Sequence, residues 1–500
     1  MRCVTDLTWT CRLTVKEMKQ NRHRGVLHQI RRGPCLTKIH IRASLLAAGA
    51  AILFASPAQA QDDAAALRAE LAAMRAQMEA MDSRMDALQA RLAEAELKNA
   101  DAKATALAAQ GAADAAAEAA DAGPRGIAWK GAPKIEGEGG WSFKPRGRLQ
   151  YDAGYVSSPD GIEDDGLGFA NEARRIRLGV EGDIPGGFGY KFEADFTGSS
   201  EVEVTDAILT YDAGPLGLTV GQHNNFQSLE ELTSSRFNSF MERAAFTDAF
   251  GFERRVGLSA QYKRGAVLVQ AGAFTDDLES LNDDENGSLG GDVRAVFAPM
   301  LGDMQLHLGA SAHYRDLGNT ISTARYRQRP ALHVTDTRFI DTGSFGASSE
   351  TGYGLEAAAI AGPLHFAGET FWQNVGAPGL SDPTFFGGYA EVGYFLTRGD
   401  SRGYKLGVFD RSKPANAVGD GGFGALQINA RYDRLDLNDA GIVGGTQDGY
   451  NLSLIWTLTP YVRTMINYAH LVYGDAAIPA AGGDRDYSVD AVGMRAEIDF

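Results

Sequence analysis

Cations recur at every second position in short stretches of this chain: Arg146 and Arg148, Arg175 and Arg177, and Lys191 in step with Glu193 and Asp195. A spacing of two is the strand period, so on extended backbone the members of each pair share one face. Such groups do no bond chemistry alone. They can replace part of the water around an anion, and Arg does so with a planar fork of donors that stays charged. A second reading is equally physical. Arg–Asp/Glu ladders brace a wall without selecting anything, and Glu181, Glu193 and Asp195 stand near Arg175 and Arg177 in sequence. Other chemistries lack their residues. There is no P-loop, GxSxG, HExxH or zinc spacing, and the 9 histidines are scattered, so neither enzyme activity nor a metal or other cofactor is expected. Asp436-Leu437-Asn438-Asp439-Ala440-Gly441 faintly resembles a calcium loop, but the spacing is wrong and it reads as a turn.

The elements that must carry these cations are strands. From about residue 146, segments of eight to twelve residues alternate apolar and polar. In 175–181, Ile176, Leu178 and Val180 take one side while Arg175, Arg177 and Glu181 take the other. Sixteen such segments follow, from 146–156 to 488–500. Single-chain bacterial barrels require an even number. Short connections alternate with long ones, as turns and loops at opposite ends of a barrel would. One segment, 397–422, is long where a turn belongs. Tyr151, Tyr155, Tyr211, Tyr262, Phe274, Tyr314, Tyr394, Tyr432 and Tyr468 lie near strand ends and fit aromatic girdles facing outer-membrane lipid. On the last strand Val492, Met494, Ala496, Ile498 and Phe500 share the expected lipid face. The fold class is therefore an all-β transmembrane barrel of about 16 antiparallel strands over 123–500. Mean hydropathy is −0.22, and no apolar run approaches the ~18 residues of a membrane helix.

The first 122 residues differ. Residues 1–60 hold ten Lys/Arg and two Asp/Glu, whereas the rest of the chain is strongly acidic and the whole carries −16. That balance excludes nucleic acid as a partner. All 3 cysteines (Cys3, Cys11, Cys35) precede residue 60. Lys38 and Arg42, the apolar stretch 43–55 and Ser56-Pro57-Ala58-Gln59-Ala60 make a signal peptide cut after Ala60. Residues 1–35 fit no signal, and translation is expected to start near Leu36. Leu67, Leu71, Met74, Met78, Met81, Met85, Leu88 and Leu92 alternate in steps of four and three, the seam of a self-associating α-helical coiled coil. It leads into an Ala-rich linker ending at residue 122, and 61–122 forms a periplasmic segment.

Two blocks then become recognisable. Arg174-Arg175-Ile176-Arg177-Leu178-Gly179-Val180-Glu181-Gly182 with 190–196, and Leu218-Thr219-Val220-Gly221-Gln222 followed by 228–236 and Phe240-Met241-Glu242-Arg243, resemble the phosphate-selective porin O/P family. So do Gly393-Tyr394-Phe395-Leu396-Thr397, Ser412-Lys413-Pro414, Arg431-Tyr432 and 435–439. The resemblance implies a homotrimer of sixteen-stranded barrels, each a pore narrowed by an inward third loop. It puts Arg236 and Arg243 on that loop with Glu230 and Glu231, and Arg325, Arg327 and Arg329 on an inward fifth loop. Where phosphate-selective relatives tend to carry a lysine after Gly-Gln, this chain has His223-Asn224-Asn225-Phe226. Three functions compete: passive diffusion of small anions such as phosphate or polyphosphate, a general or cation-leaning porin, and a structural protein tethering the envelope through its coiled coil.

Overall fold

The computed structural model describes residues 127–198, 202–280, 287–318 and 323–500, with scattered positions between 72 and 103. Sixteen long strands form the wall: β1 Ser142–Val156, β2 Gly168–Ile184, β3 Phe188–Asp195, β4 Glu203–Ala213, β5 Leu216–Asn224, β6 Arg254–Arg264, β7 Val267–Phe274, β8 Leu289–Phe297, β9 Met304–Asp316, β10 Ser349–Ala361, β11 Leu364–Gly376, β12 Thr384–Phe395, β13 Ala425–Asp439, β14 Ile442–Thr459, β15 Val462–Gly474 and β16 Tyr487–Asp499. Each pairs antiparallel with the next. The last returns to the first, Ala491 opposite Val156 and Asp499 opposite Arg148, so the sheet closes and has no edge.

The period-two pattern produces this wall because its two faces meet different surroundings. Arg148, Gln150, Asp152, Arg495 and Glu497 are buried inside. Leu178, Leu355, Leu452 and Met494 each expose about half of their surface outside. Polar inside and apolar outside inverts the soluble pattern and suits a lipid surround. Eight of the nine aromatics expected at the girdles are exposed. Phe274 is a correction. It is 2% exposed and points inward, its ring 5.2 Å from His223 and 6.0 Å from Phe226. At the foot of β16, Phe500 donates to the Gly147 carbonyl at 3.0 Å and accepts from the Gly147 amide at 3.1 Å. A Cβ at position 147 would stand 2.1 Å from the Phe500 ring, so only glycine fits there.

Turns of two to six residues join strands at one end of the barrel, except for the long segment 396–424. Loops occupy the other end. The turn expected over 436–441 shrinks to Ala440-Gly441, because β13 continues through Asp439 with an irregularity between Asp436 and Asn438. Two inward loops, 225–253 and the described residues 323–348 of the next long loop but one, cover one side of the lumen with an apolar core. Phe246 stacks at 6.0 Å on Phe371, Phe252 meets Phe371 at 4.8 Å, and Phe339 lies 5.1 Å from Tyr473. This lumen-side core is what keeps the loops inside.

Ahead of β1, Ile127–Lys130 and Ala132–Glu136 form a hairpin that pairs onto its first residues. The described positions between 72 and 103 are all helical, and Met81, Met85, Leu88 and Leu92 are more than half exposed. Leu67, Leu71, Met74 and Met78, and the expected signal peptide, lie outside the described residues.

Candidate functional site

The loop 225–253 crosses the lumen and fastens to β11–β16. Its first helix, Leu229–Leu232, starts on Ser228, whose φ of 64° is a strained value for a residue with a side chain. The Glu369 carboxylate accepts from the amides of Leu229 and Glu230, both at 2.8 Å. Two free helix N–H groups are thereby satisfied by one carboxyl group. Asp433 accepts from the Ala245 amide at 2.9 Å. Arg463 donates to the carbonyls of Asn238 at 3.1 Å and Ser235 at 2.7 Å. Arg495 binds Asp152 at 2.7 and 2.6 Å and reaches Glu242 at 2.8 Å. Glu230, expected on this loop, is buried and pairs with Arg431, so it serves as a fastener.

The opening lies on the other side, between the loop and β1–β6. A cavity of about 290 Å³ there is lined by Arg146, Arg148, Arg175, Arg177, Lys191, Arg236, Arg243 and Arg254, against only Glu193, Asp206 and Glu231. The hydroxyl residues Thr233, Ser234 and Ser235 edge it on the loop side, and His223 and Asn224 on the wall side. Seven of the cations singled out in sequence therefore meet in one place. Most also hold a partner: Arg177 donates to Asp195 at 2.7 Å, Lys191 to Asp206 at 2.7 Å, and Arg146 to Glu181. Pore lining and wall bracing are thus the same residues. Arg243 also shapes the loop, donating to the carbonyls of Glu230, Glu231 and Thr233 at 3.0, 3.0 and 3.1 Å.

Above the constriction a second cavity, about 250 Å³, lies between the two inward loops and shares Glu231 and Arg243 with the first. Arg329 lines it. Burial raises the Glu231 carboxyl, whereas the Arg174 and Arg495 guanidiniums hold Glu242 well below the usual carboxylate range against its burial. Arg325 and Arg327 stand elsewhere on the fifth loop. Arg325 pairs with Asp341 and is nearly half exposed, and Arg327 is exposed opposite Asp341 in a two-residue ladder.

Sequence reasoning missed Arg174 and Arg254 of the two cavities, the clamp arginines of β13–β16, and one element. Arg174 is the extra residue of a bulge: Gln150 faces Arg175, Tyr151 faces Ala173, and Arg174 is left over. The bulge re-aims it to grip Glu242 at 2.9 and 3.0 Å. Strict alternation would have sent it to lipid. Arg254 sits at the foot of the third loop and pairs with Asp206 at 3.3 Å. The missed element is the long segment 396–424. It folds up into the barrel as a hairpin, Gly403–Lys405 with Val408–Asp410. The Phe409 amide donates to Thr233 Oγ1 at 3.1 Å, and Arg402 donates to Ser239 Oγ at 2.6 Å and to Glu391 at 2.6 Å. This explains its length: it fills lumen.

A closed barrel with a polar lumen and a loop folded across it is a channel of the outer-membrane porin class. Within that class, the model for "Phosphate-selective porin O and P" matches residues 143–500, and the chain belongs to this family. An uncharacterised protein of Caulobacter vibrioides is 51% identical over 386 residues, covering 75% of this chain and 78% of its own. Porin O of Pseudomonas aeruginosa is 29% identical over 374 residues, 66% of this chain and 82% of its own. Among solved structures, OmpT of Vibrio cholerae superposes with a TM-score of 0.46 at 10% identity, over 73% of this chain and all (100%) of that one.

Proposed function

We propose that this porin is a passive channel for small anions, with inorganic phosphate or polyphosphate as the substrate class. The observation that carries the reading is the lining of the constriction, eight cations against three carboxylates, which stays net positive after Glu181, Asp195 and Asp499 behind it are counted. In a narrow water-filled lumen such an imbalance concentrates anions and repels cations. Ser234, half-buried on the loop edge of the cavity, adds a hydroxyl donor that suits an oxyanion over chloride. Acidic loop residues such as Asp164 and Asp165 are screened within about 8–10 Å at physiological salt, so the waist governs selection. The turn end faces the periplasm, where the 61–122 coiled coil joins three copies after residues 1–60 are removed. The test is the zero-current potential of purified channels in a planar bilayer under a KCl gradient, followed by addition of phosphate. An anion-signed potential and a chloride current reduced by phosphate support the reading. A cation-signed potential favours the general porin, and no current at all favours the envelope tether.

A further inference from the structure

The inward segment 396–424 brings a guanidinium to the underside of the constriction. Arg411 Nη1 donates to Asp499 Oδ1 at 2.8 Å, its Nη2 to Asp499 Oδ2, and it also reaches the Pro460 carbonyl. Asp499 is already occupied from above. Arg236 Nη1, on the third loop, donates to Asp499 Oδ2 at 3.0 Å. Both guanidiniums lie beside the Phe237 ring, at 5.0 and 5.2 Å. Arg236 lines the constriction cavity and also a smaller one below it, which Arg411, Arg402 and Arg463 share. The carboxylate is buried, 4% exposed at its side chain, so water cannot supply the missing compensation. The next acid, Glu497, is taken by Arg463 at 3.1 Å. Arg402 is likewise taken by Glu391.

One buried carboxylate between two guanidiniums leaves a net positive charge. We infer that Arg411 determines selectivity from outside the constriction: by claiming Asp499 it leaves the Arg236 charge uncompensated in the pore. Without Arg411, Asp499 and Arg236 form a neutral pair and the constriction loses one effective cation. The inference deepens the anion reading and rests on it for the benefit to the cell, but its own signature is the direction of a change. It also gives the inward segment a task. A chain element from the turn end sets the charge of a residue on a loop from the opposite end.

The experiment compares zero-current potentials of purified full-length channels in a KCl gradient at low and high salt. Arg411→Gln moves the potential toward cations, with the anion-to-cation permeability ratio falling about two-fold at low salt and less at high salt. Arg411→Lys keeps the charge and stays near the wild type. Asp499→Asn moves the potential the other way, toward anions, and carries the test by itself if Arg411→Gln fails to fold. The heat-dependent gel mobility of a folded barrel checks folding in each case. An unshifted Arg411→Gln, an Arg411→Lys as displaced as Arg411→Gln, or an Asp499→Asn that moves toward cations overturns the inference. The sign of the wild-type potential tests the anion reading separately, because the shifts are read against the wild type whatever its sign.

Discussion

The two sides of the lumen use the same residue types for opposite ends. On β1–β6, Arg175, Arg177 and Lys191 line the cavity, and Arg148 lines it while also donating to Ser235 of the loop at 2.7 Å. On β11–β16, Glu369, Arg431, Arg463 and Arg495 face the third loop and hold its backbone and acids. Nothing in the alternation distinguishes an arginine of one side from an arginine of the other. The difference is where the loop lies, and that is set by the apolar contacts of Phe246 and Phe252 with Phe371. A charge left uncovered lines a pore. A charge that is covered becomes a fastener, and its loss is then expensive.

Substitutions on the two sides should therefore fail differently. The largest effect belongs to the clamp. Arg495→Ala strands Asp152 beneath the loop and removes one of the two partners of Glu242, and breaking such a buried pair costs about 3–5 kcal/mol. Thermal unfolding followed by gel mobility should show a markedly lower midpoint. A midpoint equal to the wild type would mean that the loop does not depend on that wall. Arg243→Ala comes next. It removes two guanidinium nitrogens that serve three loop carbonyls from a part-exposed side chain, a loss of about 1.5–3 kcal/mol in all. Single-channel records should become noisier and larger in conductance, whereas an unchanged unitary current would place the loop's rigidity elsewhere.

Smaller still is a pH effect. Burial raises the Glu231 carboxyl, whereas Glu242 stays ionised well below the ordinary range. As pH falls, Glu231 is neutralised first and one carboxylate leaves the constriction, so the anion preference should rise on acidification. Glu231→Gln should show the higher preference already at neutral pH and lose that pH response. A response that persists in the variant would assign it to another group. The smallest effect is expected at Arg325, exposed and paired with Asp341. Its replacement by Ala should change stability by about 0–1 kcal/mol and leave the zero-current potential unmoved.

The wall was legible in sequence because alternation is a local property. Sixteen segments, their parity and the outward face of Val492, Met494, Ala496, Ile498 and Phe500 follow from a period of two and a lipid surround. Seven cations of the constriction were legible for the same reason, aided by family resemblance for Arg236 and Arg243. Arg174 was not, because a bulge breaks the period by one residue. The clamp was not, because pairs such as Arg431 with Glu230 join residues far apart in sequence whose meeting depends on the loop's path. The inward hairpin of 396–424 showed only as a length on the wrong end. Its chemistry, Arg402 on Glu391 and Arg411 on Asp499, needed the fold.

The division between an uncovered and a covered side is tested most directly by the zero-current potential of Arg175→Gln combined with Arg177→Gln, measured beside the wild type in a KCl gradient. Gln is shorter than Arg but keeps an amide donor, so the charge on the open side is removed along with the Arg177 pairing to Asp195. The wild type should give an anion-signed potential, and the double variant should lose much of it while folding normally. A double variant that keeps the wild-type potential, or one whose unfolding midpoint falls as far as that of Arg495→Ala, would contradict it.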